Sequence, residues 1–328
     1  MARKVQLVGI SNAIVDVLTH VEPAFLDEIG AVPGSMTLID EDDANSLYDK
    51  LGAATEMSGG SVANTVAGFA NLGGSAAYIG RVRDDQLGDI FVHDMRSLGV
   101  DTRFEPATAG APTARCIVLI TPDGQRTMRT YLGACTELSV SDVTPKTVGK
   151  SDVVLLEGYV WDLAEGPDLT GEAMEIASRN GGEVALSLSD SFCVERHRDA
   201  FMAAVRSGVD IVFADEDEMT ALFEVDEFED VLPKLADFDN LFVMTRSAKG
   251  SVVVHKDRHF EQKAIPINRI VDTTGAGDAY TAAFLYGYTS GKALEDCAKL
   301  GTWCATSVIK QLGARLEKDV LRDYPLAL

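Results

Sequence analysis

The chain has 328 residues, 46% of them hydrophobic, and a net charge of −22 with an isoelectric point near 4.5. That length is ample for a large core, as one big α/β domain or one domain with a small appendage. The acidic surplus speaks against nucleic acid and anionic membrane as partners, and no run of about 18 apolar residues offers a membrane span.

Residues 5–10 form a short apolar run and read as a buried strand. Asn12 and Asp16 follow, and strand alternation puts Asn12, Ile14 and Asp16 on one face. Such a face suits a sugar, with Asp16 accepting hydrogen bonds from vicinal hydroxyls. An edge strand with a solvated face accounts for the same residues. Residues 35–40 read as a strand and 42–51 as a helix. Ser58-Gly59-Gly60-Ser61-Val62-Ala63-Asn64 then precedes Val66, Phe69 and Leu72 at helical spacing. Gly59 and Gly60 open a turn that a ligand can approach closely. Ser61 reads as an N-cap, and Asn64, one turn in, faces the glycine side. A capped helix after a glycine turn explains the Ser but not the Asn. Residues 76–80 predict a strand, and Asp84-Asp85-x-x-Gly88 precedes an amphipathic helix ending near Leu98. Two β-rich runs, 114–121 and 126–132, flank Pro122-Asp123-Gly124 and predict a hairpin. With 13–21 and 35–40 it would make a small sheet apart from the main body.

From residue 152 strand-like and helical runs alternate, as in a parallel sheet covered on both faces. The strands are 153–156, 184–188, 211–213 and 241–245. Asp215 and Glu218, after the third, have the spacing of a reciprocal helix cap. Thr245-Arg246-Ser247-Ala248-Lys249-Gly250 closes the fourth. Arg246 and Lys249 could meet a phosphate or be surface charges. A hairpin, 251–255 and 259–264, leads to Asp272-Thr273-Thr274-Gly275-Ala276-Gly277-Asp278 and a helix over 279–288. Strand, glycine turn and helix form the layout of an anion site. Gly275 and Gly277 let backbone N–H groups face a ligand, and the helix adds its positive dipole end. Asp278 would repel phosphate there unless it is a base taking a proton from an attacking hydroxyl. A plain glycine turn with a good first-turn Asp is the alternative. The predicted helix over 293–312 carries Gly301, Ala305 and Ser307, which suit an adenine neighbour or a core helix equally.

The string 272–278, followed by the small residues Ala282 and Ala283, resembles the C-terminal signature of the ribokinase-like (pfkB) carbohydrate and nucleoside kinases. The Asn12-x-x-x-Asp16, Gly-Gly-Ser-x-x-Asn and Asp215-x-x-Glu218 motifs follow the family's order between about Leu7 and Gly313. Two residues separate Ser61 from Asn64, which resembles the adenosine kinase branch; ribokinases usually have one fewer. The resemblance implies an α/β fold. It is a three-layer α/β/α core with a mostly parallel sheet (1–12, 41–105 and 137–328) and a small β-sheet lid (13–40 and 106–136) that excludes water. It implies ATP-dependent transfer to the 5′-hydroxyl of a nucleoside, adenosine first, with a ribose- or fructose-type sugar as the alternative acceptor. A non-catalytic binder would have no need of Asp278. A dinucleotide-binding oxidoreductase lacks its Gly-x-Gly-x-x-Gly after the first strand.

The same resemblance implies roles for residues. Asp278 is the base, and Gly275, Ala276 and Gly277 form the anion hole. Asn12, Asp16, Gly59, Gly60, Ser61 and Asn64 hold the acceptor. Leu38, Tyr131 and Tyr159 sandwich a base or are core. Thr245, Ser247, Lys249, Gly250 and Thr274 line the nucleotide, Ser247 standing where the family usually has Gly. Glu218 orders water around Mg²⁺, joined by Asp215 where the family has Asn; a helix cap explains Asp215 as well. A monovalent cation such as K⁺ is implied beside the catalytic turn, with no ligands assigned. The implied protein is a cytoplasmic monomer or homodimer. That setting agrees with five scattered cysteines and no CxxC pair, and with a start that runs straight into a strand without a signal peptide.

Overall fold

The computed structural model describes residues 4–325, so the expected leader-free start at residues 1–3 lies outside the described residues. In chain order the strands are β1 (Val5–Ile10), β2 (Ile14–His20), β3 (Met36–Leu38), β4 (Thr55–Gly59), β5 (Ala76–Ile79), β6 (Asp101–Thr102), β7 (Ala114–Ile120), β8 (Arg126–Tyr131), β9 (Ser151–Glu157), β10 (Glu183–Ser187), β11 (Ile211–Asp215), β12 (Leu241–Thr245), β13 (Ser251–His255) and β14 (Arg258–Gln262). The α-helices are α1 (Pro23–Glu28), α2 (Glu41–Lys50), α3 (Ser61–Asn71), α4 (Gln86–Ser97), α5 (Gly166–Arg179), α6 (Ser191–Ser207), α7 (Glu216–Phe223), α8 (Ala276–Thr289) and α9 (Leu294–Val308).

Nine strands make one sheet in the order β14-β13-β12-β11-β10-β9-β1-β5-β6. Pairing is parallel from β12 to β6 and antiparallel only at β12–β13 and β13–β14. Its central strands carry apolar runs, such as residues 153–156 of β9, because both faces are covered. Along β9, Val154 and Leu156 enter a core with α5, α6 and α7, while Val153 and Leu155 enter a second core with α3, α4, α8 and α9. All four side chains are fully buried, and each such burial is worth about 1.5–3 kcal/mol. The expected three layers are therefore present.

Five further strands form a separate sheet in the order β3-β8-β7-β2-β4. It contains the predicted hairpin and one segment unforeseen as a strand, β4, antiparallel to β2. One face carries Val15, Val17, Ile117 and Leu119 into the second core. The other carries Ile14, Leu18, Cys116, Val118, Ile120 and Met128 in a cluster of their own. Asp85 ties the sheet to the body. One carboxylate oxygen caps α4 through the Gly88 N–H at 2.8 Å, and the other accepts the Thr113 N–H at 2.9 Å. Two predicted helices shift: α8 starts at Ala276, taking the glycine turn into its first turn, and α9 stops at Val308.

Candidate active site

The chain runs from β1 to β5 on one side and later returns to β9 on the other. The order of the sheet reverses between β1 and β9, and ligands of open α/β sheets bind at the carboxyl ends of strands beside such a reversal. Two residues meet there. Glu157, the last residue of β9, accepts the Asn12 N–H at 2.9 Å and the Val62 N–H of α3 at 3.5 Å. Burial pushes its carboxyl up to about 7. The buried carboxylate thus joins the segment after β1 to the first turn of α3.

The N-termini of α3 and α8 converge on Asp278. Ser61 Oγ donates to Asp278 Oδ1 at 2.7 Å, Asn64 Nδ2 to Oδ2 at 3.1 Å, and Thr65 Oγ1 to its backbone carbonyl at 3.3 Å. Ser61 is not the expected cap: Gly60 holds that position, and the hydroxyl is spent on Asp278 instead. Burial pushes the Asp278 carboxyl up to about 6, against the lowering pull of Ser61, Asn64 and Arg315. A carboxylate of that basicity is ionised at neutral pH and still competent to accept a proton.

Asp16 lies in β2 opposite Met57 of β4, with Gly59 beside it. A β-carbon at Gly59 would collide with the Asp16 carboxylate, so only glycine lets β4 pass this close. Burial also pushes Asp16 up to about 6, opposed by Arg315 and Arg126 and reinforced by Asp278. Asn12 Oδ1 and Asn64 Oδ1 are buried without a hydrogen-bond partner. Buried polar atoms are nearly always bonded, and a ligand donor at either oxygen would satisfy it.

The turn before α8 is rigid. Gly275 is its N-cap at φ +76°, a left-handed conformation that favours glycine, and a β-carbon there would collide with Ala314. Asp272 accepts the Thr274 N–H at 3.0 Å and the Gly313 N–H at 2.8 Å. It also pairs with Arg126 of β8, whose other Nη donates to Thr274 at 3.0 Å. The two side chains are 9% and 3% exposed. The small sheet is thereby fastened to the turn before α8.

Most of the residues expected at the nucleotide lie at or just after the end of β12. Thr245 and Asp215 are register partners at the ends of β12 and β11. Ser247 sits at φ +49°, the conformation that explains glycine there in the family. Arg246 and Lys249 both pair with Glu216, at 2.6 and 3.0 Å, and Arg246 also stacks on Phe228. Asp215 and Glu218 form the reciprocal cap, with Asp215 Oδ1 accepting the Glu218 N–H at 2.8 Å and Glu218 Oε2 accepting the Asp215 N–H at 3.0 Å. Burial and the charge of Asp215 push the Glu218 carboxyl up to about 8.

Of the three residues suggested for a base, Leu38 is 57% exposed and shares the Asp16 face, through Leu38–Thr130, Thr130–Cys116 and Cys116–Asp16 pairings. Tyr131 does not share it. Its register partner is Arg115, on the opposite face, and its hydroxyl donates to Glu41 at 3.2 Å. Tyr159 packs on the first core and donates to Asp190. Four site residues escaped the sequence reading: Glu157, Arg126, Asp272 as a hub, and Arg315. Only Glu157 left a signal, as a lone acid closing an apolar strand. A groove of about 1160 Å³ opens at the opposite ends of the strands, beside Glu183, Asp210 and Tyr288, and no residue of this site lines it.

Among the described residues no three His, Cys, Asp or Glu side chains converge as a metal site, and no helix is long and apolar enough to cross a membrane. Residues 29–320 match the model of the pfkB family carbohydrate kinases. The structure of adenosine kinase from Sinorhizobium meliloti is 48% identical, with a TM-score of 0.87 over 95% of this chain and 96% of that one. A probable sugar kinase from Rhizobium etli CFN 42 is 44% identical, with a TM-score of 0.89 over 97% of each chain. Adenosine kinase 1 of Arabidopsis thaliana is 25% identical over 331 residues, 94% of each chain.

Proposed function

This chain belongs to the pfkB carbohydrate kinase family, phosphotransferases with an alcohol acceptor, and from that premise we propose that it transfers the γ-phosphoryl group of ATP to the 5′-hydroxyl of adenosine. The observation that carries the nucleoside is the face around Asp16. Ile14, Cys116, Met128 and Leu38 give it an apolar surface beside a sugar-type clamp. A purine needs such a surface, and a free sugar does not. The identity to a named adenosine kinase and the Ser61–Asn64 spacing support the same choice. The probable sugar kinase, at 44% identity, favours the second reading, a free-sugar acceptor.

In this mechanism Asp16 accepts two ribose hydroxyls, and the open oxygens of Asn12 and Asn64 take the remaining donors. Asp278 accepts the 5′-hydroxyl proton as the oxygen attacks. Ser61 and Asn64 hold its two carboxylate oxygens and so aim it. The N–H groups of the first turn of α8 meet charge developing on the phosphoryl oxygens. A β-carbon at Gly277 would touch nothing within 4 Å, so that turn faces open space, as a phosphate requires. Asp215, exposed at the end of β11, and Glu218, buried in the first turn of α7, would hold Mg²⁺ through its waters, because hard carboxylate oxygens suit a hard cation. The ion would neutralise phosphate charge. The five-stranded sheet acts as a lid, with Arg126 as its fastening to the catalytic turn.

A panel of adenosine, other nucleosides, ribose and fructose with ATP, followed by ADP release, tests the reading. Adenosine should exceed the free sugars in kcat/KM by at least about tenfold, or 1.4 kcal/mol. A free sugar used better than any nucleoside overturns it.

A further inference from the structure

The chain after α9 reaches the site from behind. The Gly313 N–H bonds Asp272, Ala314 lies against Gly275, and Arg315 extends to the acceptor turn. The Arg315 side chain is only 15% exposed. One Nη donates to the Ala63 carbonyl at 3.2 Å, and the other donates to the Ser58 carbonyl and hydroxyl. Asp94 of α4 stands 4.0 Å from that second nitrogen and accepts the Ser58 N–H at 3.0 Å. Nε is buried and has no hydrogen-bond partner.

This is not an ordinary buried pair. A buried guanidinium usually grips one carboxylate through two parallel hydrogen bonds. Arg315 instead spends its donors on backbone and hydroxyl oxygens of one turn. In that turn Gly59, next to Ser58, lies against the Asp16 carboxylate, and Ser61 and Asn64, on either side of Ala63, hold Asp278. Asp94, Asp16 and Asp278 are the acids around Arg315. Two of those three are the acceptor clamp and the base.

We propose that Arg315 is a positioning residue of this site, a shared buried cation that pins the Ser58–Asn64 turn and balances the charges of Asp16 and Asp278 together. The proposal rests on the kinase reading above. Two neighbouring carboxylates resist joint ionisation unless a cation compensates them, yet the mechanism needs Asp16 ionised to hold the sugar and Asp278 ionised to take the proton. The charge of Asp278 raises Asp16, and Arg315 opposes burial at both. Around them stand Arg126 of β8, acting on Asp16, and Glu157 of β9, coupled to Asp278. Tyr78 of β5 and Asp94 of α4 act on Arg315. Arg126 is already paired with Asp272, which leaves Arg315 as the cation common to both acids.

Carbon-13 NMR of the aspartate carboxyls, assigned with Asp16→Asn and Asp278→Asn, reads both titrations without turnover. Arg315→Met should raise both midpoints by about one to two pH units, the effect of losing a unit charge several ångströms away at an effective dielectric near 20–40. Arg315→Lys, which keeps the charge, should leave them at the wild-type positions. Arg315→Gln replaces the Met variant if that one does not fold. Unmoved midpoints in the neutral variant overturn the proposal. So does a shift as large in Arg315→Lys, because geometry rather than charge would then be responsible. The acid limb of kcat with adenosine should follow the Asp278 midpoint. Shifted midpoints with an unshifted limb leave the shared cation standing and overturn Asp278 as the base.

Discussion

At Gly59 a single hydrogen separates the β4 backbone from the Asp16 carboxylate. Gly59→Ala should therefore push the clamp aside and weaken adenosine binding by about 2–4 kcal/mol, the range for a lost charged hydrogen-bond pair, with ATP binding unchanged. Calorimetry on Gly59→Ala, Asp16→Ala and the double variant checks the cause. Since both act through one carboxylate, the second substitution should add almost nothing to the first; full additivity would show that Gly59 matters for another reason. At Asp278, a carboxyl pushed up to about 6 predicts a kcat that falls as pH drops through about 6. A profile flat to pH 5 would exclude this group as the base.

Helix ends do most of the work at the scale of elements. The glycine turns before α3 and α8 were legible because Gly, Ser, Asn and Asp at those spacings have few other uses. The parallel strands were legible because they are apolar on both faces. The role of Ser61 was not, since a cap and a side-chain donor look alike until the partner from 217 residues away is in place. Tyr131 was misplaced for a similar reason: its face depends on a register that a hairpin run alone leaves open. Arg126 and Arg315 were beyond reach because a long basic side chain says nothing about which distant element it meets. Two predictions belong here. Asp215→Ala should cost about 1 kcal/mol through loss of the α7 cap, while Asp215→Asn keeps stability. A Mg²⁺ titration of the Asn variant that superimposes on wild type would leave Asp215 as a cap alone. Arg126→Ala leaves Asp272 as a buried, half-compensated carboxylate and should destabilise by about 3 kcal/mol. Hydrogen exchange should show the β7–β8 hairpin opening faster than the nine-stranded sheet; equal protection would mean that the lid is not fastened there.

Over the whole molecule, the charge of −22 and the buried acids act in one direction. Burial raises Asp16 and Asp278 to about 6, Glu157 to about 7 and Glu218 to about 8. Folded-state values above the unfolded ones mean that the native chain binds more protons across this window, so stability falls as pH rises through it. Tm should thus increase on acidification from pH 8 to about 5.5, where self-repulsion also declines. Activity should fall over the lower part of the same interval, which separates loss of the base from unfolding. A Tm that drops with pH across this range would contradict the burial of these acids.

The central claim is that a carboxylate aimed by Ser61 and Asn64 removes the acceptor proton. Its most direct test is Asp278→Asn, measured for kcat with adenosine and ATP and for the Kd of each ligand. Asparagine can keep a bond to Ser61 but cannot take the proton. The account predicts kcat lower by roughly 10²–10⁴-fold, the range for a general base, with both Kd values close to wild type. Near-normal turnover, or a loss fully explained by weaker binding, would contradict it.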